Sequence, residues 1–220
     1  MDLTDRENNI FEILQKFIDS GLDFVIVGGY AVSAFKHRFS IDADIVVKSA
    51  DVAAFEDILR KNNFRKTISK ELENIYSSKF ERYEKDAASI DLLINAVASR
   101  TTNAVFSYDL LVNNSAKRKI IGTEKEIIAY VPNKEALIAM KIHSGRLADF
   151  RDIAALAKDT NLGIIKKFLF IGNLNQVKEN LKNLERALND KNFIDSFKGV
   201  FLEKKFDIDV SQLRKIAKLA

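Results

Sequence analysis

Two stretches, FVIVGGYA at residues 24–31 and RFSIDADIVV at residues 38–47, decide the fold of this 220-residue chain. The first is a β-branched run that reaches Gly28-Gly29 and continues with a helical pattern, which predicts a strand, a tight turn and a helix. The second predicts another strand over Asp42 to Val47. Strands and helices that alternate in this way indicate a sheet with helices packed on it.

The glycine pair also predicts a place where phosphate can bind. Backbone N–H groups at the start of a helix have no partner within that helix, so they are free to bind phosphate oxygens. Glycine has no side chain, and a ligand can therefore approach the backbone closely at Gly28 and Gly29.

Three aspartates form the candidate catalytic centre. Asp42 and Asp44 are two residues apart on one predicted strand, so their side chains leave the same face from origins about 6.6 Å apart. Asp91 is the only charge in SIDLLI, residues 89–94, a third predicted strand. An unpaired buried carboxylate is costly, so Asp91 either pairs with a cation, faces solvent at a strand end or binds metal. Beside Asp42 and Asp44 we favour metal binding, with Mg²⁺ or Mn²⁺ clamping a triphosphate.

The second half of the chain is predicted to be helical. Pro132 is the only proline, and we place a domain boundary there, between an α+β domain at 1–132 and a helical domain at 133–220. Further helices are predicted at 9–20, 30–36, 50–62, 134–144, 147–158, 164–170, 174–188 and 210–219, and further strands at 23–27, 75–83, 119–122 and 126–131.

Composition excludes several kinds of chemistry. The chain has no cysteine, which removes disulfides, thiolate zinc sites and cysteine nucleophiles, and fits a reducing, cytoplasmic location. The longest nearly apolar run, residues 24–35, is too short to span a membrane. Residues 161–220 contain 12 Lys or Arg and 7 Asp or Glu, a net +5. That excess predicts either a solvated helical surface, which we favour, or a contact with RNA.

The pattern of Gly28-Gly29, a short helix, Arg38-x-Ser40-x-Asp42-x-Asp44 and a later Asp91 resembles the polymerase-beta-type nucleotidyltransferase superfamily. More narrowly, it is similar to the AbiEii-like nucleotidyltransferases of abortive-infection toxins. The resemblance covers residues 24–152. It implies a mixed sheet flanked by helices, followed by a helical domain that contributes to the active-site cleft. It also implies transfer of a nucleotide from a nucleoside triphosphate to an acceptor.

The resemblance extends to residues outside the aspartate motif. It assigns Lys141, on the first helix after the sheet, to the phosphates and to charge neutralisation as pyrophosphate leaves. It assigns Asp152 to completing the nucleotide site, and if residues 141–152 formed one helix, Lys141 and Asp152 would share a face. Ser40 stands where the family commonly has threonine. Arg38 either binds phosphate bidentately or braces the aspartates.

The acceptor stays open among an RNA or tRNA end, a protein hydroxyl and a small molecule, and the resemblance makes an antitoxin protein a possible partner. Two other functions compete with catalysis. One is a nucleotide-binding or RNA-binding module of the same fold without turnover, against which all three aspartates argue. The other is a partner protein with coiled helices, against which the lack of sustained heptads argues.

Overall fold

The structure is a computed structural model that describes residues 3–71, 79–193, 195–197, 200–201 and 207–219. The chain divides into two compact units. The first contains residues 1–97 and 106–132, and the second contains residues 98–105 and 133–220. Residues 98–105 thus belong to the helical unit, although the sequence places them within the α+β domain.

The first unit is built on a seven-stranded mixed sheet. Its strands are β1 Val25–Val27, β2 Asp42–Val47, β3 Arg65–Glu71, β4 Lys79–Lys85, β5 Ala88–Ile94, β8 Ser115–Ile121 and β9 Glu126–Pro132. They lie in the order β3-β4-β5-β2-β1-β9-β8. Strands β2 and β5 are parallel, as are β1 and β9, whereas the other neighbours are antiparallel. Central β5 is buried along its whole length.

Helices pack on this sheet through apolar side chains. The helices of the first unit are α1 Leu3–Asp19, α2 Gly28–Ser33, α3 Val52–Lys61 and α4 Tyr108–Asn113. Phe17 of α1 meets Phe55 of α3 edge to face at 4.8 Å between ring centroids, and Phe24 contacts both rings. This aromatic cluster fixes α1 and α3 beside the start of β1, since edge-to-face pairs add to the burial of apolar area.

The two edge strands are kept from pairing with other chains by their charges. Strand β3, RKTISKE, is largely exposed, and β8 carries exposed Lys117, Arg118 and Lys119. Lysine and arginine on an edge strand oppose the addition of a further strand.

The second unit is helical. Its helices are α5 Lys134–Ser144, α6 Leu147–Leu156, α7 Leu162–Leu169, α8 Leu174–Leu188 and α9 Val210–Ala217, with a short 3-10 turn at Asp195–Phe197. Helix α5 begins directly after Asn133, whose side chain accepts a hydrogen bond from the Ala136 N–H at 2.8 Å. Strands β6 Ala96–Ala98 and β7 Val105–Ser107 form a two-stranded ribbon where the chain passes between the units.

Gly145 ends helix α5 and corrects one expectation from the sequence. Its φ of +66° is left-handed, and a methyl group built on it would lie 2.6 Å from the side chain of Asn180. Helix α6 starts only at Leu147. Lys141 and Asp152 are therefore on two different helices, so the condition under which they would share one helical face is not met.

The predicted fold class, a mixed sheet flanked by helices and followed by helices alone, is confirmed. Strands β3, β6 and β7 and helix α4 were not predicted. The strand predicted at 75–83 is found at Lys79–Lys85, and residues 75–78 lie outside the described residues. Among the described helices, none combines the length and the apolar character needed to cross a bilayer.

Candidate active site

The three aspartates lie on two neighbouring strands of the first unit. Asp42 and Asp44 are on β2, and Asp44 is paired with Asp91 in the parallel register of β2 and β5. Residues paired across adjacent strands point to the same face, and so do residues two apart on one strand. All three carboxylates therefore leave the same face of the sheet.

At Gly28 the backbone of the turn lies close to the side chain of Asp44. Helix α2 begins at Gly28 itself, two residues earlier than the sequence predicts. Its φ is +65°, and a methyl group built on it would lie 2.0 Å from Oδ2 of Asp44. Only glycine therefore allows this turn and this carboxylate position together.

Gly29, Ser40 and Arg38 meet on the other side of the same turn. A methyl group on Gly29 would lie 2.2 Å from Oγ of Ser40 and 3.3 Å from a terminal nitrogen of Arg38. The loop that carries Arg38 and Ser40 is held by Ser33, which donates to the Arg38 carbonyl at 2.7 Å, and by Tyr30, which donates to the Ser40 carbonyl at 3.3 Å. The structure thus gathers the candidate residues of the first unit around one turn.

Arg82 of strand β4 is bonded to two of the aspartates. Its Nε donates to Oδ1 of Asp91 at 2.7 Å, and one terminal nitrogen donates to Oδ2 of Asp91 at 2.7 Å and to Oδ2 of Asp42 at 3.1 Å. The contact with Asp91 is the two-pronged arrangement that a planar guanidinium forms with a carboxylate. Register places Arg82 opposite Asp91 in the antiparallel pair of β4 and β5.

Burial and Arg82 act on Asp91 in opposite directions. The Asp91 side chain is 5% exposed, and this burial raises the pKa of its carboxyl above the ordinary value despite the lowering effect of Arg82. Hydrogen bonding to Asp91 in turn raises the pKa of Arg82, so the guanidinium stays charged. Asp91 is therefore a carboxylate that is buried from solvent and forms a two-pronged ion pair with Arg82.

The aspartates fit a hard divalent cation in chemistry, since Mg²⁺ and Mn²⁺ prefer carboxylate oxygens. Asp42 is one-third exposed and Asp44 is partly exposed. Asp91 differs, because Arg82 engages both of its oxygens. In the part of the chain that the structure describes, no three acidic or histidine side chains are arranged ready to hold a metal ion. Asp42 and Asp44 therefore fit as ligands, whereas Asp91 would first have to exchange Arg82 for the metal.

Lys141 and Asp152 lie in the second unit and are in contact with each other. Lys141 Nζ is 2.7 Å from Oδ2 of Asp152 and 3.0 Å from Oδ1 of Asp149, and all three side chains are at least nine-tenths buried. Burial opposes the charge of Lys141, but attraction to Asp152 and Asp149 raises its pKa overall. Arg146 also bonds Asp149 at 2.8 Å. The four groups form a largely buried ion network that joins α5, its C-terminal turn and α6.

His143 has partners that identify it as a structural residue of the second unit. Its Nε2 lies 3.0 Å from the Phe168 carbonyl and its Nδ1 lies 2.8 Å from Oγ1 of Thr102. A carbonyl only accepts, so Nε2 carries the proton and Nδ1 accepts from the threonine hydroxyl. Ser99 and Thr101 also bond the His143 carbonyl, which explains why residues 98–105 belong to this unit.

Arg82 is the site residue that sequence reasoning missed. The signal that reveals it is the hairpin turn at Asp86 and Ala87, where Asp86 has a φ of +55°. Counting back from this two-residue turn pairs Lys85 with Ala88 and so Arg82 with Asp91. Asp91 is the only charged residue on β5, whereas Arg82 is one of five on β4, and only the register shows that these two meet.

Comparison with solved structures finds the same fold, a mixed sheet flanked by helices, in other proteins. The solution structure of the antibiotic-resistance factor ANT(2″)-Ia is similar at 15% identity and a TM-score of 0.53, over 76% of this chain and 90% of that one. A crystal structure of ANT(2″)-Ia in complex with adenylyl-2″-tobramycin is similar at 14% identity and a TM-score of 0.50, over 71% of this chain and 90% of that one.

A third similar structure is JHP933 from Helicobacter pylori, at 15% identity and a TM-score of 0.51. This match spans 99% of the present chain and 90% of JHP933. No protein-family model and no curated protein matches the sequence. At these identities the similarity establishes the fold.

Proposed function

We propose that this chain is a metal-dependent nucleotidyltransferase that moves a nucleoside monophosphate from a nucleoside triphosphate to an acceptor. The observation that carries the proposal is the position of Asp42, Asp44 and Asp91 on one face of the sheet, beside the Gly28-Gly29 turn. The fold shared with ANT(2″)-Ia supports it.

Asp42 and Asp44 would hold Mg²⁺ or Mn²⁺, joined by Asp91 once Arg82 is displaced. When bound, the metal would neutralise charge on the triphosphate and polarise the phosphorus that is attacked. The two aspartates of β2 contribute their negative charge from a rigid strand. Strand ladders hold side chains in place more firmly than loops do, which suits a reaction that depends on alignment.

The triphosphate would be bound by the residues around the turn. Gly28 and Gly29 leave room for phosphate oxygens to approach the backbone, and Arg38 and Ser40 supply a cation and a hydroxyl beside Gly29. We extend the family-based assignment to Lys141 and Asp152, with Lys141 offsetting charge as pyrophosphate leaves.

In the reaction an acceptor oxygen forms a bond to the α-phosphorus, while the bond from that phosphorus to the bridging oxygen breaks and pyrophosphate leaves. The acceptor loses a proton as it attacks. Asp91 is the carboxylate we propose to receive that proton when it does not bind metal. Burial raises the pKa of Asp91, which makes it a stronger base than an exposed aspartate.

The acceptor we propose is a hydroxyl group on a small molecule, an RNA end or a protein. The adenylyl-2″-tobramycin bound to ANT(2″)-Ia joins an adenylyl group to an antibiotic and so favours a small molecule. A toxin role with an antitoxin partner rests on sequence resemblance alone. The second candidate function is a nucleotide-binding or RNA-binding module without turnover. The hydrogen bonds from Arg82 to both oxygens of Asp91 favour it, because they keep Asp91 from binding metal.

One experiment tests both functions. The protein is incubated with Mg²⁺ and each of the four triphosphates labelled at the α-phosphate, together with total RNA, total protein or a panel of hydroxylated antibiotics. Label transferred to an acceptor by the wild type but not by Asp44→Asn supports the transferase. Triphosphate binding with no transfer to any acceptor supports the binding module, and neither binding nor transfer contradicts both.

A further inference from the structure

Arg82 occupies the position from which a metal ion would bind the third carboxylate. It engages both oxygens of Asp91 and one oxygen of Asp42, each within 3.1 Å. These are two of the three carboxylates in the proposed site. A guanidinium and a divalent cation compete for the same negative charge, and they cannot both lie at the same oxygen lone pairs.

The exposed fractions of the Arg82 and Asp91 side chains indicate which of the two moves when their ion pair opens. The Asp91 side chain is 5% exposed and is fixed in the central strand β5, whereas Arg82 is 28% exposed and sits on β4, one strand further towards the edge of the sheet. Arginine has a long side chain with several rotatable bonds, so it can reach solvent without any movement of the backbone. Exchange at Asp91 therefore requires a change in Arg82 alone.

The described residues contain no group of three acidic or histidine side chains arranged to hold a metal ion. The register of β2 and β5 places Asp44 and Asp91 opposite each other, as a shared metal would need. Arg82 instead supplies the positive charge beside the buried carboxylate. The guanidinium of Arg82 thus occupies the position that we propose for the metal ion of the metal–triphosphate complex.

We infer that Arg82 is a positioning residue that controls metal binding at Asp91. It holds Asp91 in place before the metal arrives, and it leaves Asp91 when the metal–triphosphate complex binds. This inference rests on the proposed function, because it concerns the same site. It adds that Asp91 becomes available as the third metal ligand only when the metal–triphosphate complex binds.

The first test measures Mn²⁺ binding in the absence of nucleotide, through the electron paramagnetic resonance signal of free Mn²⁺. Arg82→Met should bind Mn²⁺ on the order of tenfold more tightly than the wild type, since a unit positive charge at the ligands is removed. A purely structural arginine would leave the affinity unchanged or weaken it. Unchanged or weaker binding by a folded Arg82→Met protein would overturn the inference.

A double-mutant cycle separates competition at Asp91 from a general effect of charge. In an Asp91→Asn background, Arg82→Met should give little gain in Mn²⁺ affinity, because the masked ligand is gone. An equal gain in both backgrounds would mean that Arg82 acts only through its overall charge. The double variant also removes both members of the ion pair, so it avoids leaving a buried carboxylate unpaired.

A measurement on the wild type covers the case in which Arg82→Met does not fold. The Nε–H signal of Arg82, assigned through its loss in Arg82→Lys, should shift and exchange faster with solvent when Mg²⁺ and a non-hydrolysable triphosphate are added. A signal that stays unchanged at saturation would overturn the inference. If the wild type binds neither Mn²⁺ nor metal–triphosphate, the proposed function itself fails. If it binds them while Arg82 stays in place, only the inference fails.

Discussion

Asp44 and Asp91 lie opposite each other across the parallel strands β2 and β5, although 46 residues of sequence separate them. The pairing places two carboxylates on one face of the sheet, with Asp42 two residues before Asp44 on β2. Like charges at neighbouring positions destabilise a sheet unless a cation lies between them. Arg82 supplies this cation in the structure, and we propose that a divalent metal replaces it.

The close contact between Gly28 and Asp44 predicts that Gly28→Ala disturbs the site. The added methyl group would overlap Oδ2 of Asp44, so the carboxylate must move. A left-handed alanine also costs about 1–2 kcal/mol. We expect a loss of stability above that amount and weaker binding of metal–triphosphate, measured by urea unfolding and calorimetry.

Gly21→Ala is the matched control for this prediction. Gly21 has a φ of +69°, close to the +65° of Gly28, but no atom lies within 4 Å of a methyl group built on it. Gly21→Ala should therefore show the backbone cost alone and bind metal–triphosphate normally. Equal effects of the two variants on binding would argue against a role for the contact between Gly28 and Asp44.

The buried pairing of Lys141 with Asp149 and Asp152 predicts a large effect on stability. Lys141→Met leaves two buried carboxylates without their main cation, which costs about 3–5 kcal/mol in comparable pairs. Lys178→Met, at an exposed position of α8, should change stability by less than about 0.5 kcal/mol. Thermal melts of both variants check this prediction.

The phosphate role proposed for Lys141 predicts a kinetic effect in addition. Negative charge grows as pyrophosphate departs, so Lys141→Met should lower single-turnover rates more than it weakens triphosphate binding. The assay is run well below the melting temperature of the variant. A folded Lys141→Met protein with full turnover would remove Lys141 from the catalytic residues and leave it a structural one.

His143 predicts a dependence of stability on pH. Burial lowers its pKa below the ordinary 6.5, so the unfolded chain takes up a proton at a higher pH than the folded chain does. The stability that neutral His143 contributes is present above pH 6.5 and is lost as the pH falls from there through the folded pKa. The slope reaches at most about 1.4 kcal/mol per pH unit.

The measurement compares urea unfolding at pH 7.5 and pH 5.5 in three proteins. His143→Gln should lose less stability than the wild type over this interval, because it has no proton to bind at this position. His37→Gln keeps His143 and should follow the wild type. An identical loss in all three proteins would show that other groups cause the dependence on pH.

The sequence predicted the centre of the first unit well because local signals there agree with the fold. The β-branched run before Gly28, the apolar pattern of residues 42–47 and the buried strand around Asp91 all lie in the interior of the sheet, where burial dictates residue type. Strand β2 has the predicted bounds. The order of the strands could not be predicted, because pairing between distant segments leaves no local pattern.

The features that were missed depend on contacts between segments far apart in the chain. Strand β3 is mostly charged and exposed, so nothing apolar marks it as a strand. Arg82 looks like an ordinary surface residue until the hairpin register sets it against Asp91. Gly145 lies between the helices predicted at 134–144 and 147–158, but only its close approach to Asn180 shows why glycine is required there.

Calorimetry of metal–triphosphate binding to the wild type and to Asp42→Asn tests the proposed metal site most directly. Each of the four triphosphates is titrated with and without Mg²⁺, and Asp57→Asn, at an aspartate on α3 that pairs with Arg60 and Lys61, serves as the control. We expect Mg²⁺-dependent binding of at least one triphosphate to the wild type and to Asp57→Asn. A folded Asp42→Asn protein should lose this binding. Unchanged affinity in Asp42→Asn would contradict the assignment of the metal site and the proposed function with it.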